Sequence, residues 1–169
     1  MKNIALFIIA VCTALIGSAA ASAFEKRVSA LEKICVLLNS IKTRVEFDAQ
    51  SAGDIFFNLC ADGEFSSLPF VRECDSLLKS GFGFCEAWKK SLKNYENTRF
   101  LKKGDVAVLL SFGSLFGATD IPGQIANCEL HISLIEQKLN SAREEAAKYS
   151  KPVRGIGFLS GAAVYILFM

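Results

Sequence analysis

The stretch IPGQIANCELHISLIEQKLNSAREEAAKYSK, Ile121 to Lys151, decides the fold class. Apolar residues recur in it at Ile125, Cys128, Ile132, Ile135, Leu139, Ala142 and Ala146. The spacings alternate between three and four, the heptad pattern of a helix packed along one seam. A helix from Ile121 to about Ser150 is roughly 45 Å long at about 1.5 Å per residue. It ends on Lys148, Lys151, Pro152 and Arg154, and GIGFLSGAAVYILFM, Gly155 to Met169, then runs apolar. The order predicts a long helix standing on a membrane.

The other end of the chain has the mirror arrangement. Ile4 to Ala23 contains no charge, about the length that spans a bilayer. Ala21-Ser22-Ala23 resembles a signal-peptide cleavage site, so an exported, tail-anchored helical protein with a structural or binding role is the alternative reading. Against cleavage, the amino-terminal region has only Lys2, and Lys26 and Arg27 follow the apolar run at once, where positive charge resists export. A retained anchor is the reading adopted. Val28, Leu31, Ile34, Leu38, Ile41 and Val45 continue the helical pattern past the membrane edge. The expected partner of this stripe is the helix from Ile121.

Between the long helices the chain reads as short ones. Ser51-Ala52-Gly53-Asp54 is a turn and a cap before Ile55, Phe56, Leu59 and Cys60; Asp62-Gly63 ends that helix. Ser67-Leu68-Pro69 opens the next, with Phe70, Val71, Cys74, Leu77 and Leu78 inward, and Gly81 and Gly83 break it. Phe84, Trp88, Leu92 and Tyr95 mark one face of a third, with Trp88 read as core. Asp105 caps a fourth, carrying Val106, Leu109, Leu110, Phe112, Leu115 and Phe116. Gly113 in it admits a close neighbour or weakens the helix. Gly117 reads as its C-terminal stop.

The predicted class is all-α: an antiparallel helical bundle with two long helices and several short ones, flanked by transmembrane helices. The boundaries are 1–24 for the first anchor, 25–152 for a cytoplasmic helical domain and 153–169 for the second anchor. Lys26, Arg27 and Lys33 follow the first anchor and Lys148, Lys151 and Arg154 precede the second, which predicts that both termini lie outside the cytoplasm.

Asp120 reads as the N-cap of the long helix, with Pro122 in its first turn, or as a carboxylate facing a partner. Gln124 is exposed or bonds across the turn. Gly117, Asp120 and Gln124 sit at the far end of the long helix and are the expected protein-contact residues. Gly157 and Gly161 form a GxxxG, and Ala10, Ala14, Gly17 and Ala21 a matching small-residue seam, expected to pack membrane helices together or to pair copies of the chain. His131 reads as a residue flanking the seam.

Composition narrows the function. A net charge of +2 with 21% charged residues gives no nucleic-acid signature. The six cysteines, at 12, 35, 60, 74, 85 and 128, have no zinc-like spacing and fall mostly at apolar helical positions. No nucleotide-binding, metalloprotease or serine-hydrolase motif is present. Glu144 and Glu145 are adjacent on a helix and face different ways, so they make no acid–base pair. No catalytic, cofactor or metal site is expected, and the chain reads as a non-enzyme.

FGSLFGATDIPGQ at 112–124, EQKLNSAREEAAKYSK at 136–151 and GFLSGAAVYIL at 157–167 resemble the carboxy-terminal half of the stage III sporulation protein AB family. EAWKKSL at 86–92 is similar to a second family stretch. Gly117, Asp120, Gln124 and the Gly157 to Gly161 segment carry most of the likeness. At 48–54 this chain has DAQSAGD, where the family has a Thr-Pro-Leu-like turn. The resemblance implies a domain similar to the cytoplasmic domains of the F-type platform protein of type II secretion and type IV pilus machines. It implies a platform or adaptor of the channel joining mother cell and forespore, with its domain on the mother-cell side. The implied partners are a stage III sporulation protein AA-like ATPase and other membrane proteins of that channel.

Overall fold

The computed structural model describes residues 2–48, 51–61, 63–96 and 100–168; the side chains of 2–10, 13, 14, 48, 94–96, 154, 157, 158, 161, 162 and 164–168 lie outside the described set. Among the described residues the regular elements are six helices: α1 (Lys2–Asp48), α2 (Ala52–Ala61), α3 (Pro69–Lys79), α4 (Phe84–Glu96), α5 (Lys103–Leu115) and α6 (Ile121–Phe168). Among the described residues there is no strand, in keeping with the all-α expectation. The chain forms two compact units, one of 1–29 with 140–169 and one of 30–139.

In the second unit the expected stripe of α1 is buried: Leu31, Ile34, Leu38, Ile41 and Val45, joined by Leu37. Lys42 Nζ donates to Glu129 Oε1 at 2.6 Å, tying α1 to α6. That bond holds the Lys42 ammonium above its ordinary pKa against a smaller effect of burial.

The short helices start and stop for local reasons. The Asp54 N–H donates to Ser51 Oγ at 3.3 Å and the Ser51 hydroxyl to Asp54 Oδ2 at 2.6 Å, so Ser51 caps α2. Pro69 occupies the first turn of α3, where its missing N–H leaves no bond unmade. Asp105 sits one turn further into α5 than a cap. Its Oδ2 accepts the Lys102 N–H at 2.9 Å, while the Asp105 N–H reaches the Lys102 carbonyl at 2.9 Å. The helix therefore begins at Lys103, because a carboxylate at the third helical position can satisfy the capping residue's own N–H.

The core is aromatic and centres on Trp88. Its ring meets Phe56 of α2 and Phe70 of α3 edge-on at 5.7 and 5.5 Å, Phe84 of α4 at 5.7 Å, and Phe112 of α5 at 5.5 Å. Phe112 in turn meets the His131 ring of α6 at 5.7 Å. Each edge-to-face pair contributes about 0.5–1.5 kcal/mol beyond its buried area. The Trp88 Nε1–H donates to the Leu109 carbonyl at 2.6 Å, which satisfies the one polar atom of the ring. A Cβ on Gly113 would stand 2.0 Å from Trp88 Cδ1. Of the two readings of Gly113, close approach is the one that holds.

Several expectations need correction. His131 is 1% exposed. The buried residues of α6 in this unit are Asn127, Cys128, His131, Ile135 and Leu139, whereas Ile125 and Ile132 are half-buried. The buried face is turned toward 127 and 131 because Phe112 of α5 covers that side; α6 packs on more than one seam. Leu115, at the end of α5, is 46% exposed, and Phe116 beyond the helix end is buried at 3%. The long helix does not end near Ser150 but runs through Pro152 to Phe168. A proline removes one i→i−4 bond, here to Lys148, and leaves the rest of the ladder in place. Tyr95 and Asp62 lie outside the described side chains or residues.

In the first unit α1 and α6 run antiparallel. Phe24 stacks on Tyr149 with centroids 6.2 Å apart, and Arg27 Nη1 donates to Glu145 Oε2 at 2.9 Å. Arg27 is 7% exposed and Ala21 fully buried. Among the described residues no helix is long and apolar enough to cross a membrane. The side chains missing from the described set make up much of both apolar stretches on which the transmembrane expectation rests.

The Trp88–Gly113 contact yields a test. Helix propensity alone favours Gly113→Ala by about 1 kcal/mol. Overpacking costs about 1–3 kcal/mol, and displacing the indole also strains its hydrogen bond, worth about 1 kcal/mol. The substitution should therefore destabilise the detergent-solubilised chain in urea. The fluorescence of Trp88, the single tryptophan, should shift to the red. A raised or unchanged midpoint would contradict the packing.

Candidate protein-contact turn

The turn between α5 and α6 is built from its own hydrogen bonds. The Phe116 N–H reaches the Phe112 carbonyl at 3.1 Å and closes α5. Gly117 follows at φ +79°, a conformation that side chains with a Cβ rarely adopt, and the Ala118 N–H donates to Leu115 at 3.3 Å. Asp120 then caps α6: its Oδ1 accepts the Gly123 N–H at 3.1 Å, and its carbonyl accepts the Gln124 N–H at 2.9 Å. Gln124 bonds across the turn, its Nε2 donating to the Thr119 carbonyl at 3.1 Å. Gly117, Asp120 and Gln124 thus belong to one local constellation.

A second layer ties the turn to the core. Asn127 Nδ2 donates to the Phe112 carbonyl at 3.2 Å. His131 Nδ1 lies 2.8 Å from the Asn127 carbonyl oxygen, so Nδ1 is the donor. Asn127 Oδ1 and His131 Nε2 have no hydrogen-bond partner among the described residues. Neither residue carried a sequence signal for burial.

The outer face of the turn is open. Gly117, Ala118, Thr119, Asp120 and Pro122 are exposed, and Leu115 and Ile121 are 46% and 43% exposed on either side of them. Sequence reading named the polar residues and missed these two apolar ones. The available signal was that Ile121 precedes the helical stripe and that Leu115 is the last residue before the chain turns.

A family model described as Stage III sporulation protein AB matches residues 2–169. The chain belongs to that family. Stage III sporulation protein AB of Bacillus subtilis (strain 168) is 32% identical over 100 residues, covering 59% of this chain and 58% of that one. The match thus spans a little over half the length of that relative. No solved structure matches the chain significantly.

The small-residue seam is described only in part. Gly17 is buried, as is Ala21. The expected contacts of Ala14, Gly157 and Gly161 lie outside the described residues.

Nothing described in this family member assembles reactive groups. Among the described residues no cluster of His, Cys, Asp or Glu is placed to hold a metal ion. Burial pushes the Cys74 thiol up to about 12 and the Cys128 thiol up to about 11, which removes thiolate character at neutral pH. Burial likewise raises Cys60. A shallow groove of about 500 Å³ along α1 is lined by Val36, Asn39, Ser40, Thr43 and Arg44, without a nucleophile beside a base.

The cap separates two roles of Asp120. Asp120→Ala should lower stability by about 1 kcal/mol, the usual worth of an N-cap. Asp120→Ser keeps an oxygen within reach of the Gly123 N–H and should restore most of it, measured by urea denaturation. Equal losses in both variants would mean that the carboxylate is held by something other than the cap.

Proposed function

We propose that this chain is a non-enzymatic membrane platform of the sporulation channel. Its helical domain links a cytoplasmic ATPase, of the stage III sporulation protein AA type, to membrane components between mother cell and forespore. Family membership supports a role in sporulation. The observation that carries the coupling is the α5–α6 turn. It is fixed by its own hydrogen bonds, anchored on Phe112, and leaves Leu115 and Ile121 uncovered around the Asp120 cap. A rigid turn with exposed apolar residues binds without a further ordering cost. Likeness to the F-type platform domain of secretion machines belongs to the same reading.

The membrane arrangement is part of the proposal. In the first unit the large apolar side chains Val11, Leu15, Ile16, Ile156 and Leu159 are 41–68% exposed. Uncovered aliphatic side chains on two adjacent helices suit a lipid solvent better than water. Two spans, 1–24 and 153–169, then place the domain between them on the mother-cell side. Lys26 and Lys148 are cytoplasmic flanking charges. Pairing of the spans, within one chain or between copies, runs through small residues such as Gly17.

Thiol labelling tests the topology. Cys85 is exposed and lies on α4. In a variant retaining Cys85 alone, an impermeant maleimide should leave it unlabelled in intact cells and label it after permeabilisation. A cysteine appended after Met169 should label in both. Labelling of Cys85 in intact cells would overturn the cytoplasmic platform in favour of an exported protein.

A further inference from the structure

The first unit carries exposed aliphatic side chains toward one end of the helix pair and an aromatic and basic belt further along it. Exposed aliphatic residues, Leu15 and Ile16 on α1 and Ile156 and Leu159 on α6, come first. The stacked Phe24 and Tyr149 rings follow, with Tyr149 43% exposed. Lys148 and Lys151 are exposed on α6 on either side of Tyr149. The Lys148 Nζ lies 5.1 Å from the Tyr149 ring centroid.

We propose that Lys148 and Lys151, beside the Phe24–Tyr149 ring pair, bind the headgroup phosphate of an anionic phospholipid. This rests on the membrane reading above and goes beyond it by assigning a site. Residues three apart on a helix are neighbours, so two ammonium groups at 148 and 151 repel unless an anion stands near both. The neighbouring carboxylates are Glu144 and Glu145 on α6 and Glu25, next to Phe24, on α1. Glu145, one turn before Lys148, is engaged by Arg27 at 2.9 Å. Glu144 is exposed four residues before Lys148, and among the described residues neither lysine forms an ion pair.

The Arg27–Glu145 bond joins α1 to α6 and engages the carboxylate one turn before Lys148. The rings fix the depth. Aromatic side chains settle where hydrocarbon meets headgroups, and lysine stems run along apolar surface to carry their charge to the phosphate level. A free phosphate would gain the same two ammonium groups but none of the apolar surface below the rings.

The test uses the full-length chain in nanodiscs of equal phosphatidylcholine and phosphatidylglycerol, released into native mass spectrometry. Retained phosphatidylglycerol should exceed phosphatidylcholine, and the excess should fall about fivefold per lysine in Lys148→Gln and Lys151→Gln. Added inorganic phosphate should leave the enrichment unchanged; its loss would assign the site to a soluble anion and overturn the lipid proposal. Alkaline extraction of host membranes is the second arm. A wild-type chain that washes out would overturn the membrane reading itself. A chain that resists extraction, with equal phosphatidylglycerol retention in wild type and the double variant, would overturn the headgroup site alone.

Discussion

The domain depends on one close contact, the Trp88 indole laid against the backbone of α5 at Gly113. The Leu109 carbonyl that accepts the indole N–H is also the helical partner of the Gly113 N–H. Polar satisfaction and close packing are thus met at one place. From there the aromatic contacts spread to Phe56, Phe70, Phe84 and Phe112, one from each short helix, α2 to α5. No other side chain has the size and the single donor to do this.

Phe112 passes the constraint on. Its ring meets Trp88 and His131, and its carbonyl accepts both the Phe116 N–H and the Asn127 amide. The end of α5 and the start of α6 are therefore held from the inside, while Asp120 and Gln124 hold the turn from the outside. A turn fixed on both sides can present Leu115 and Ile121 in one geometry. Asn127 Oδ1 and His131 Nε2, buried in this layer, have no hydrogen-bond partner among the described residues.

Local structure was largely legible in the sequence. The stripe from Leu31 to Val45, the cap at Ser51, the proline start at Pro69, the core position of Trp88 and the cap at Asp120 all follow from spacing or turn chemistry. These are short-range rules, and the chain obeys them. What was not legible depends on which distant residue arrives. Spacing cannot tell a glycine that weakens a helix from one that admits an indole, so Gly113 stayed open. His131 looked like a flank because a heptad describes one seam, and α6 also faces α5. Arg27 looked like a flanking charge, yet it is buried against Glu145, 118 positions away. At the turn, the polar cap residues were visible and the exposed Leu115 and Ile121 were not, because apolar residues beside a helical stripe read as core.

The central proposal is that the α5–α6 turn is a contact surface for a stage III sporulation protein AA-type ATPase. A photo-crosslinking amino acid placed at Ile121 of the full-length chain, in membranes of sporulating cells, tests it most directly. The account predicts a crosslink to the stage III sporulation protein AA-type ATPase from position 121 and none from the exposed Lys89 on α4. Crosslinks from Lys89 with none from Ile121 would contradict it.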